Sequence, residues 1–275
     1  MTISRVSMLL GAALVLGNAA GVQAADLYGA QGGGSIKDGY VAPVCCARPG
    51  WYFRIDGGYS MHGKPKIDAE GALLTDEKWE NTGFIGGGVG TYLGRNLRAD
   101  FTYDHGFESN LTGTAGENIV GAGNPPIHAK APMSRDLVLF NLYYDIDTGS
   151  RFTPYIGGGV GLVRHSIGTG VLTQTIAPGV TNFGVVDPQN STHFAAAAMA
   201  GFSVALGGRD GGGCGSAANM GCGPTSGMLL DIGYRFVYEG KAKTGDTYYA
   251  GIAGDPIASD LISHEIRAGV RYNLN

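Results

Sequence analysis

Two pairs of neighbouring residues carry the groups that acyl-transfer chemistry uses. His165 is followed by Ser166, and His264 is followed by Glu265. A serine hydroxyl that is activated by a histidine and oriented by a carboxylate can cleave or transfer an acyl chain through a covalent intermediate. Ester hydrolysis is therefore one hypothesis, and the alternative is that His264 is a non-catalytic imidazole near a membrane interface.

Histidine side chains could instead bind a ligand such as haem. Five of them lie in or near segments that we predict below to be loops, namely His62, His105, His128, His165 and His193. Six histidines in a chain of 275 residues is an ordinary number, so ligand capture stays an alternative. The sequence predicts no catalytic residue, no metal site and no cofactor.

A glycine-rich hexapeptide, Ile-Gly-Gly-Gly-Val-Gly, occurs twice, at 85–90 and at 156–161. A glycine loop that binds nucleotide phosphates is followed by a helix, and neither copy is followed by a helical pattern. The two identical copies instead predict a repeated hairpin element in which glycine permits close packing of the strands.

The charge distribution excludes one class of partner. The chain has 19 Lys and Arg residues against 23 Asp and Glu residues, a formal net charge of -4. Nucleic-acid binding needs basic residues that are grouped on one face of the protein. The sequence has no such cluster, so we predict no nucleic-acid partner.

The N-terminus indicates export. Arg5 precedes an apolar run over 6–16, and small residues at 22–24 suit a signal peptidase. The run is shorter than the roughly 20 apolar residues that a membrane-spanning helix needs. We predict a signal peptide over 1–24 that is cleaved after Ala24, and no later segment resembles a transmembrane helix.

The rest of the composition favours strands. The chain has 49 Gly, 14 Tyr and 10 Phe residues, and only 15% of its residues are charged. This composition leaves few candidates for long helices and favours short strands with glycine-rich connections. The predicted class is all-β.

Apolar and polar residues alternate with period two, which places them on opposite faces of a strand. In the first such segment, Trp51, Phe53 and Ile55 alternate with Arg54 and Asp56. The pattern recurs in eight segments, at 51–60, 84–93, 97–104, 136–145, 152–165, 192–206, 228–239 and 262–274. Tilted strands of roughly 9 to 11 residues cross the hydrocarbon layer of a bilayer.

Short and long connections alternate between these segments. The short ones are at 94–96 and 147–150, and the long ones are at 61–83, 104–134, 165–191 and 239–260. Outer-membrane barrels have this arrangement, with long loops outside the cell and short turns in the periplasm. We therefore predict an antiparallel up-and-down transmembrane β-barrel of about eight strands over 51–275, preceded by a periplasmic segment over 25–50.

Aromatic residues near the predicted strand ends suggest girdles at the two membrane interfaces. The candidates are Trp51, Phe53, Tyr92, Tyr144, Tyr155, Tyr238 and Tyr272. Ordinary strand composition is the alternative explanation for these positions.

Taken together, these segments resemble the small eight-stranded outer-membrane barrels, which include OmpA-like and OmpX-like domains and the surface-antigen "porin family" proteins. The resemblance covers residues 51–275. Its motifs are Ala25-Asp26-Leu27-Tyr28, Gly57-Gly58-Tyr59, Tyr143-Tyr144-Asp145, the stretch at 154–161 and the terminal strand ending at 269–275. The resemblance implies a cell outer membrane location with membrane lipid as a partner. The lipid deacylases among such barrels place a residue between His and Ser, unlike His165-Ser166.

The polar faces predict a filled interior. An eight-stranded barrel is only wide enough for its own side chains, and buried charges must be paired. We expect the following residues to form a polar plug: Arg54, Arg98, Arg235, Arg267, Arg271, Asp56, Asp100, Asp136, Asp145, Asp231 and Glu265.

A structural and surface-interaction protein, rather than an enzyme, is the predicted function. The barrel would be an anchor, and the long loops would meet an extracellular partner that no motif identifies. The alternatives are a small-solute channel or a haem-binding or ligand-binding surface protein, and, less favoured, an outer-membrane lipid-modifying hydrolase.

The four cysteines are disulfide candidates, because the predicted topology places all of them on the oxidising periplasmic side. Cys45 and Cys46 are adjacent, and normal bridges need Cα atoms farther apart than neighbouring residues allow. We predict two bridges that tie Cys45 and Cys46 to Cys214 and Cys222. Two alternatives stay open: a bridge between Cys214 and Cys222 alone, and a bridge from Cys45 or Cys46 to a neighbouring barrel, which would make a homo-oligomer.

Overall fold

The computed structural model describes residues 50–69, 72–94, 96–116, 120–121, 123–178, 180–206, 227–243, 245–249, 252–254 and 257–274. The predicted signal peptide, the segment before the first strand and all four cysteines lie outside these residues. No helix in the described ranges has both the length and the apolar character needed to cross a membrane.

The described residues form fifteen strands, and every pair of neighbouring strands is antiparallel. They are β1 Trp51–His62, β2 Lys66–Ala69, β3 Ala72–Leu73, β4 Thr75–Trp79, β5 Thr82–Tyr92, β6 Leu97–Ala115, β7 Ile127–Asp145, β8 Phe152–Ile167, β9 Gly170–Ala177, β10 Val180–Val186, β11 Gln189–Ala205, β12 Gly227–Lys243, β13 Thr247–Tyr249, β14 Ile252–Gly254 and β15 Ile257–Asn273. The all-β prediction is confirmed.

Eight of the strands form a closed ring. Going round, the order is β1, β5, β6, β7, β8, β11, β12 and β15, and β15 pairs with β1 to close the circle. Closure leaves these eight strands without an exposed edge, which is what a bilayer requires of a β-structure. The predicted eight-stranded barrel is therefore confirmed.

The ring closes with a stagger of ten residues. The pairing partners run from Ser60 through Glu265, Arg235, Met199, Gly157, Tyr143 and Arg98 to Tyr92. The amide of Tyr92 then donates to the carbonyl of Gly50, so one circuit returns to the start of β1 ten positions before Ser60. A stagger of this kind obliges the strands to tilt, typically by about 35–45° from the barrel axis.

The ring has an apolar exterior and a polar interior. On β1 the outward side chain of Ile55 is 68% exposed, whereas the inward side chain of Arg54 is 3% exposed. On β8 the outward residues are uncharged from Phe152 to Leu162. At a rise of about 3.3 Å per residue and a tilt of about 40°, this stretch covers about 25 Å, the height of the lipid-facing band of such barrels. We call this exterior band the apolar belt.

Most of the predicted girdle residues lie on the exterior. Trp51, Tyr144 and Tyr272 are exposed at the end of the barrel that carries the short turns, and Tyr238 is exposed toward the other end. Tyr92 and Tyr155 point inward instead. The Tyr92 hydroxyl donates to Asn273 at 3.1 Å, and Tyr155 packs against Tyr143 with its ring edge, so the girdle prediction is wrong for these two.

Both copies of the glycine hexapeptide are barrel strands, one on β5 and one on β8. Their inward positions lack side chains, which leaves room for large residues from neighbouring strands. A Cβ atom on Gly157 would come within 2.6 Å of the Tyr143 ring, and a Cβ on Gly90 would overlap the Tyr52 ring. The close packing that we expected from glycine is thus the approach of aromatic rings to the inner wall.

The strands extend well beyond the predicted segments at the end with the long connections. β6 continues to Ala115 and β7 begins at Ile127, so most of the predicted loop at 104–134 is a hairpin. The predicted loop at 165–191 contains β9 and β10, and β9 pairs with β7 above the end of β8. The prediction of irregular loops in these segments is wrong. We define the distal extension as β2, β3, β4, β9, β10, β13, β14 and the parts of β6 and β7 at 109–115 and 127–133.

Candidate functional site

The upper half of the barrel interior contains a cluster of charged side chains centred on Arg135. Its Nη2 donates to Oε1 of Glu265 at 2.6 Å, and its Nη1 donates to Glu239. Arg235 donates through Nε to the other oxygen of Glu265 at 2.5 Å and pairs with Asp104 at 2.6 Å. These five residues come from β6, β7, β12 and β15, so the cluster connects opposite walls of the barrel.

A second charged cluster lies in the lower half of the interior. Arg54 pairs with Asp56 at 2.7 Å and with Asp100 at 3.1 Å. Arg98 donates to Asp145 at 2.9 Å, and its guanidinium carbon lies 3.9 Å from the centroid of the Tyr143 ring. Arg267 pairs with Asp56 at 3.1 Å, and Arg271 pairs with Asp231 at 3.2 Å.

Every buried arginine of the described residues therefore has a carboxylate within ion-pair distance. These are Arg54, Arg98, Arg135, Arg235, Arg267 and Arg271. Pairing of this kind offsets the large cost of removing charges from water. The interior is lined and crossed by side chains at both levels.

One predicted interior residue is on the wrong side. Asp136 faces outward, where its Oδ1 accepts a hydrogen bond from the Tyr103 hydroxyl at 2.7 Å and lies 2.8 Å from Nδ1 of His105. Asp136 shares its strand face with Val138 and Phe140, so a strict period-two count would have placed it outside. The same count would have added Arg135, which the prediction omitted.

Trp79 of β4 covers the upper charged cluster. Its ring stacks on His62, meets His165 with its edge at 5.9 Å between centroids, and donates through Nε1 to Ser109 at 3.0 Å. Around it lies an apolar cluster made of Ile67, Leu111, Ala131, Met133, Ile167, Ala242, Ala258 and Leu261. Trp79 lies in a short strand within a predicted loop, so no period-two pattern marks it in the sequence.

A second apolar cluster packs the distal extension farther from the barrel. It contains Ala115, Ile127, Leu172 and Val186. At the edge of the extension, Asn110 donates to the half-buried Glu80 carboxylate at 2.7 Å, and this hydrogen bond lowers the pKa of Glu80. The extension is thus a packed β-structure and not a set of separate loops.

The outer face of the extension presents apolar side chains as well as charges. Val171 on β9 and Val185 on β10 are directly paired, and they are 47% and 46% exposed. Lys130, the partner of Val171 on β7, lies six residues beyond Asp136 along that strand. Six strand residues correspond to a distance of roughly 15 Å along the axis of a tilted strand, so this surface lies well beyond the apolar belt.

The residues predicted for acyl transfer are not brought together. His165 is buried in the barrel, where its Nε2 lies 3.0 Å from Oε2 of Glu239, whereas Ser166 lies on the opposite face of the same strand. His264 faces outward, with Nδ1 2.6 Å from the Tyr234 hydroxyl, and Glu265 faces inward. Ser166 therefore faces away from His165 and Glu265, which lie inside the barrel, and the Nδ1 atom of His264 contacts Tyr234.

The histidines predicted as ligands have separate surroundings. His62 is stacked on Trp79, His105 contacts Asp136, and His128 lies 3.2 Å from the Thr114 hydroxyl. Among the described residues, no group of three or more His, Cys, Asp and Glu side chains could hold a metal ion.

Comparison with known proteins gives relatives of about the same length. A Rickettsia bellii protein named "Putative adhesin" is 26% identical over 231 residues, which is 83% of this chain and 90% of the relative. A Rickettsia prowazekii protein, also named a "Putative adhesin", is 25% identical over 235 residues, with the same shares of the two chains covered. No protein-family model matches the chain.

Solved structures with some similarity include an outer membrane protein and a surface protein. The match to OprG from Pseudomonas aeruginosa has a TM-score of 0.44 and 14% identity, and it covers 82% of this chain and 98% of that one. The match to Neisserial surface protein A has a TM-score of 0.39 and 18% identity, and it covers 82% of this chain and 97% of that one.

Proposed function

We propose that this chain, an eight-stranded β-barrel of the outer membrane, is an adhesion or surface-interaction protein whose distal extension binds an extracellular partner. The observation that carries the proposal is the extension itself. Its strands continue the barrel wall, enclose two apolar clusters and hold exposed apolar side chains such as Val171 and Val185 far from the apolar belt. A rigid scaffold that presents such a surface is suited to binding.

The relatives support this reading. The alignments span most of this chain and most of each relative, and both relatives are named as putative adhesins. Adhesion is a property of the surface that a protein presents outside the cell, and the extension is formed by the long connections, which are extracellular in outer-membrane barrels.

An adhesion assay tests the proposal. Non-adherent Gram-negative cells that display the full chain would be added to a cultured epithelial monolayer and to a plate coated with mixed extracellular-matrix proteins. We expect more bound cells than with an empty vector on at least one surface. The double variant Val171→Glu with Val185→Glu should lower binding, because it puts two charges into the exposed apolar pair.

The matched control puts the same charges at the other end of the barrel. Thr148 and Ser150 lie exposed in the short turn after β7, and Thr148→Glu with Ser150→Glu should leave adhesion unchanged. Adhesion equal to that of the empty vector on both surfaces, or an equal loss in the control variant, would contradict the proposal.

Surface labelling tests the orientation on which the proposal rests. A peptide tag inserted between Ala115 and Ile127 should be stained on intact cells, whereas a tag inserted at 147–150 should be stained only after the outer membrane is permeabilised. The reverse pattern would show that the extension lies in the periplasm.

The proposal treats the barrel as an anchor and not as a pore. The paired arginines and carboxylates occupy the interior at two levels, and Trp79 covers the upper one. Purified protein in a planar lipid bilayer should therefore give no steady conductance steps. Regular single-channel steps that vanish with an antibody to the tagged extension would support the alternative of a small-solute channel.

A further inference from the structure

Three cationic side chains lie on the barrel exterior, on the two strands that flank β11. Arg164 on β8 and Lys241 and Lys243 on β12 are all exposed, and β11 runs between them. Arg164 is directly paired with Thr192 of β11, and the backbone amide of Lys243 donates to the Ser191 hydroxyl of the same strand at 3.3 Å. We call Arg164, Lys241 and Lys243, with Thr192 between them, the cationic patch.

The patch begins where the apolar belt ends. Along β8, Arg164 follows the exposed Leu162 by two residues, and along β11, Thr192 precedes the exposed Phe194 by two. On β12 the last apolar residue of the belt is Tyr238, three residues before Lys241. The cations are therefore at the level where hydrocarbon gives way to lipid headgroups.

Polar groups that can donate hydrogen bonds surround the cations. Ser166 and Asn190 are partners across β8 and β11, one row beyond Arg164 and Thr192. Asp136 is the partner of Arg164 on β7, so one carboxylate borders the patch, and its Oδ1 accepts the Tyr103 hydroxyl at 2.7 Å and lies 2.8 Å from Nδ1 of His105. No ion pair identified among the described residues joins Arg164, Lys241 or Lys243 to a carboxylate.

We propose that the cationic patch binds the phosphate group of an anionic lipid in the adjoining membrane leaflet, with the lipid chains lying along Leu162, Phe194 and Tyr238. A guanidinium group and two ammonium groups match a phosphate in charge, and arginine can contact two phosphate oxygens at once. We infer that the phosphate belongs to a lipid because the cationic patch adjoins the apolar belt, against which acyl chains can pack.

Native mass spectrometry of the full protein in a neutral detergent tests the proposal. The probes are phosphatidic acid, diacylglycerol with the same chains, and inorganic phosphate. We expect phosphatidic acid to bind and the other two to bind far more weakly. The triple variant Arg164→Gln, Lys241→Gln, Lys243→Gln should lose affinity for phosphatidic acid on the order of a hundredfold, since each cation near a membrane surface contributes a substantial attraction.

A control variant removes the same charge elsewhere. Lys64, Lys78 and Lys130 are exposed lysines of the distal end, and changing all three to Gln should leave phosphatidic acid binding unchanged. A second test variant, Thr192→Asp, keeps all three cations and adds a carboxylate between them. It should also lose binding, which covers the case in which the triple variant fails to fold.

Three outcomes would overturn the proposal. Equal binding of diacylglycerol and phosphatidic acid would mean that the phosphate is not recognised. Equal binding of inorganic phosphate would mean that the patch takes a free anion and not a lipid. Unchanged binding in the folded triple variant or in Thr192→Asp would place any lipid site elsewhere on the barrel.

Discussion

The indole ring of Trp79 lies flat on the imidazole ring of His62, with 3.5 Å between the ring centroids and 9° between the ring planes. Trp79 belongs to the short strand β4, and His62 ends the first barrel strand. Through this contact a segment of the distal extension closes over the charged interior and is held to the barrel wall.

Replacing Trp79 should loosen the extension without opening the ring. Trp79→Ala removes a buried aromatic side chain, a change that typically costs about 3–5 kcal/mol. We expect faster hydrogen exchange and protease cleavage in β4 and in β6 beyond Gly106, with the ring strands still protected. Trp51→Ala is the control, because Trp51 is exposed on the exterior, and it should leave the exchange of β4 unchanged. Equal exchange in the two variants would contradict the assignment of Trp79 as a cover.

The closed ring should make the protein heat-modifiable. A barrel without edges has no end at which unfolding starts easily, so it resists detergent until it is heated. Unboiled and boiled samples should migrate differently on a detergent gel, and samples heated in steps should change from one band to the other over a narrow temperature range. A single band at all temperatures would count against a closed ring.

Loss of Arg135 should be strongly destabilising. Arg135→Ala leaves Glu239 and Glu265 with fewer partners in a buried site, and breaking a buried pair typically costs about 3–5 kcal/mol. Arg164→Ala, on the exterior, should change the free energy of unfolding by about 0.5 kcal/mol or less. Urea unfolding of the refolded protein, followed by tryptophan fluorescence, measures both. Similar midpoints for the two variants would show that the interior pairs contribute little.

Two neighbouring glycines should respond differently to the same substitution. A Cβ atom on Gly157 would press on the Tyr143 ring at 2.6 Å, whereas a Cβ on Gly158 would meet its nearest atom at 3.6 Å, an ordinary contact. Gly157→Ala should therefore destabilise the barrel by about 1–3 kcal/mol through overpacking, and Gly158→Ala should not. The temperature of the gel shift is a direct measure, and equal temperatures for the two variants would be evidence against the inward packing of Tyr143.

The disulfide prediction is open to peptide mapping. We predict that Cys45 and Cys46 are each bridged to Cys214 or Cys222, because all four share the oxidising compartment in the predicted topology. Digestion without reduction should release peptides that join the N-terminal segment to the link after β11. Recovery of Cys45 and Cys46 as free thiols would rule out both bridges, and dimeric peptides would favour the link between neighbouring barrels.

The eight barrel strands could be predicted because their signal is local. Trp51, Phe53 and Ile55 alternate with Tyr52, Arg54 and Asp56 in the sequence, and a strand turns that alternation directly into an apolar outside and a polar inside. Strand number, strand direction and the end that carries the long connections follow from eight such repeats.

The distal extension could not be predicted in the same way, because its strands interrupt the alternation. Between Gly106 and Ser109 the pairing of β6 with β7 shifts register, so one extra residue reverses which positions face inward. Inward residues change from Asp104 and Gly106 to Ser109 and Leu111. A bulge of this kind ends a period-two pattern while the strand continues, so a period-two count cannot follow β6 beyond Gly106.

The sequence by itself determined which side chains are polar enough to fill the barrel and apolar enough to face lipid. Only the tertiary structure decided which residues are their partners. Arg135 meets Glu265 across 130 positions of sequence at 2.6 Å, and Arg164 shares the barrel exterior with Lys241 and Lys243, which lie on the other side of β11. The physical reason is that strand faces are set by neighbouring residues, whereas contacts through and across the barrel wall are set by the stagger of the closed ring, a property of all eight strands together.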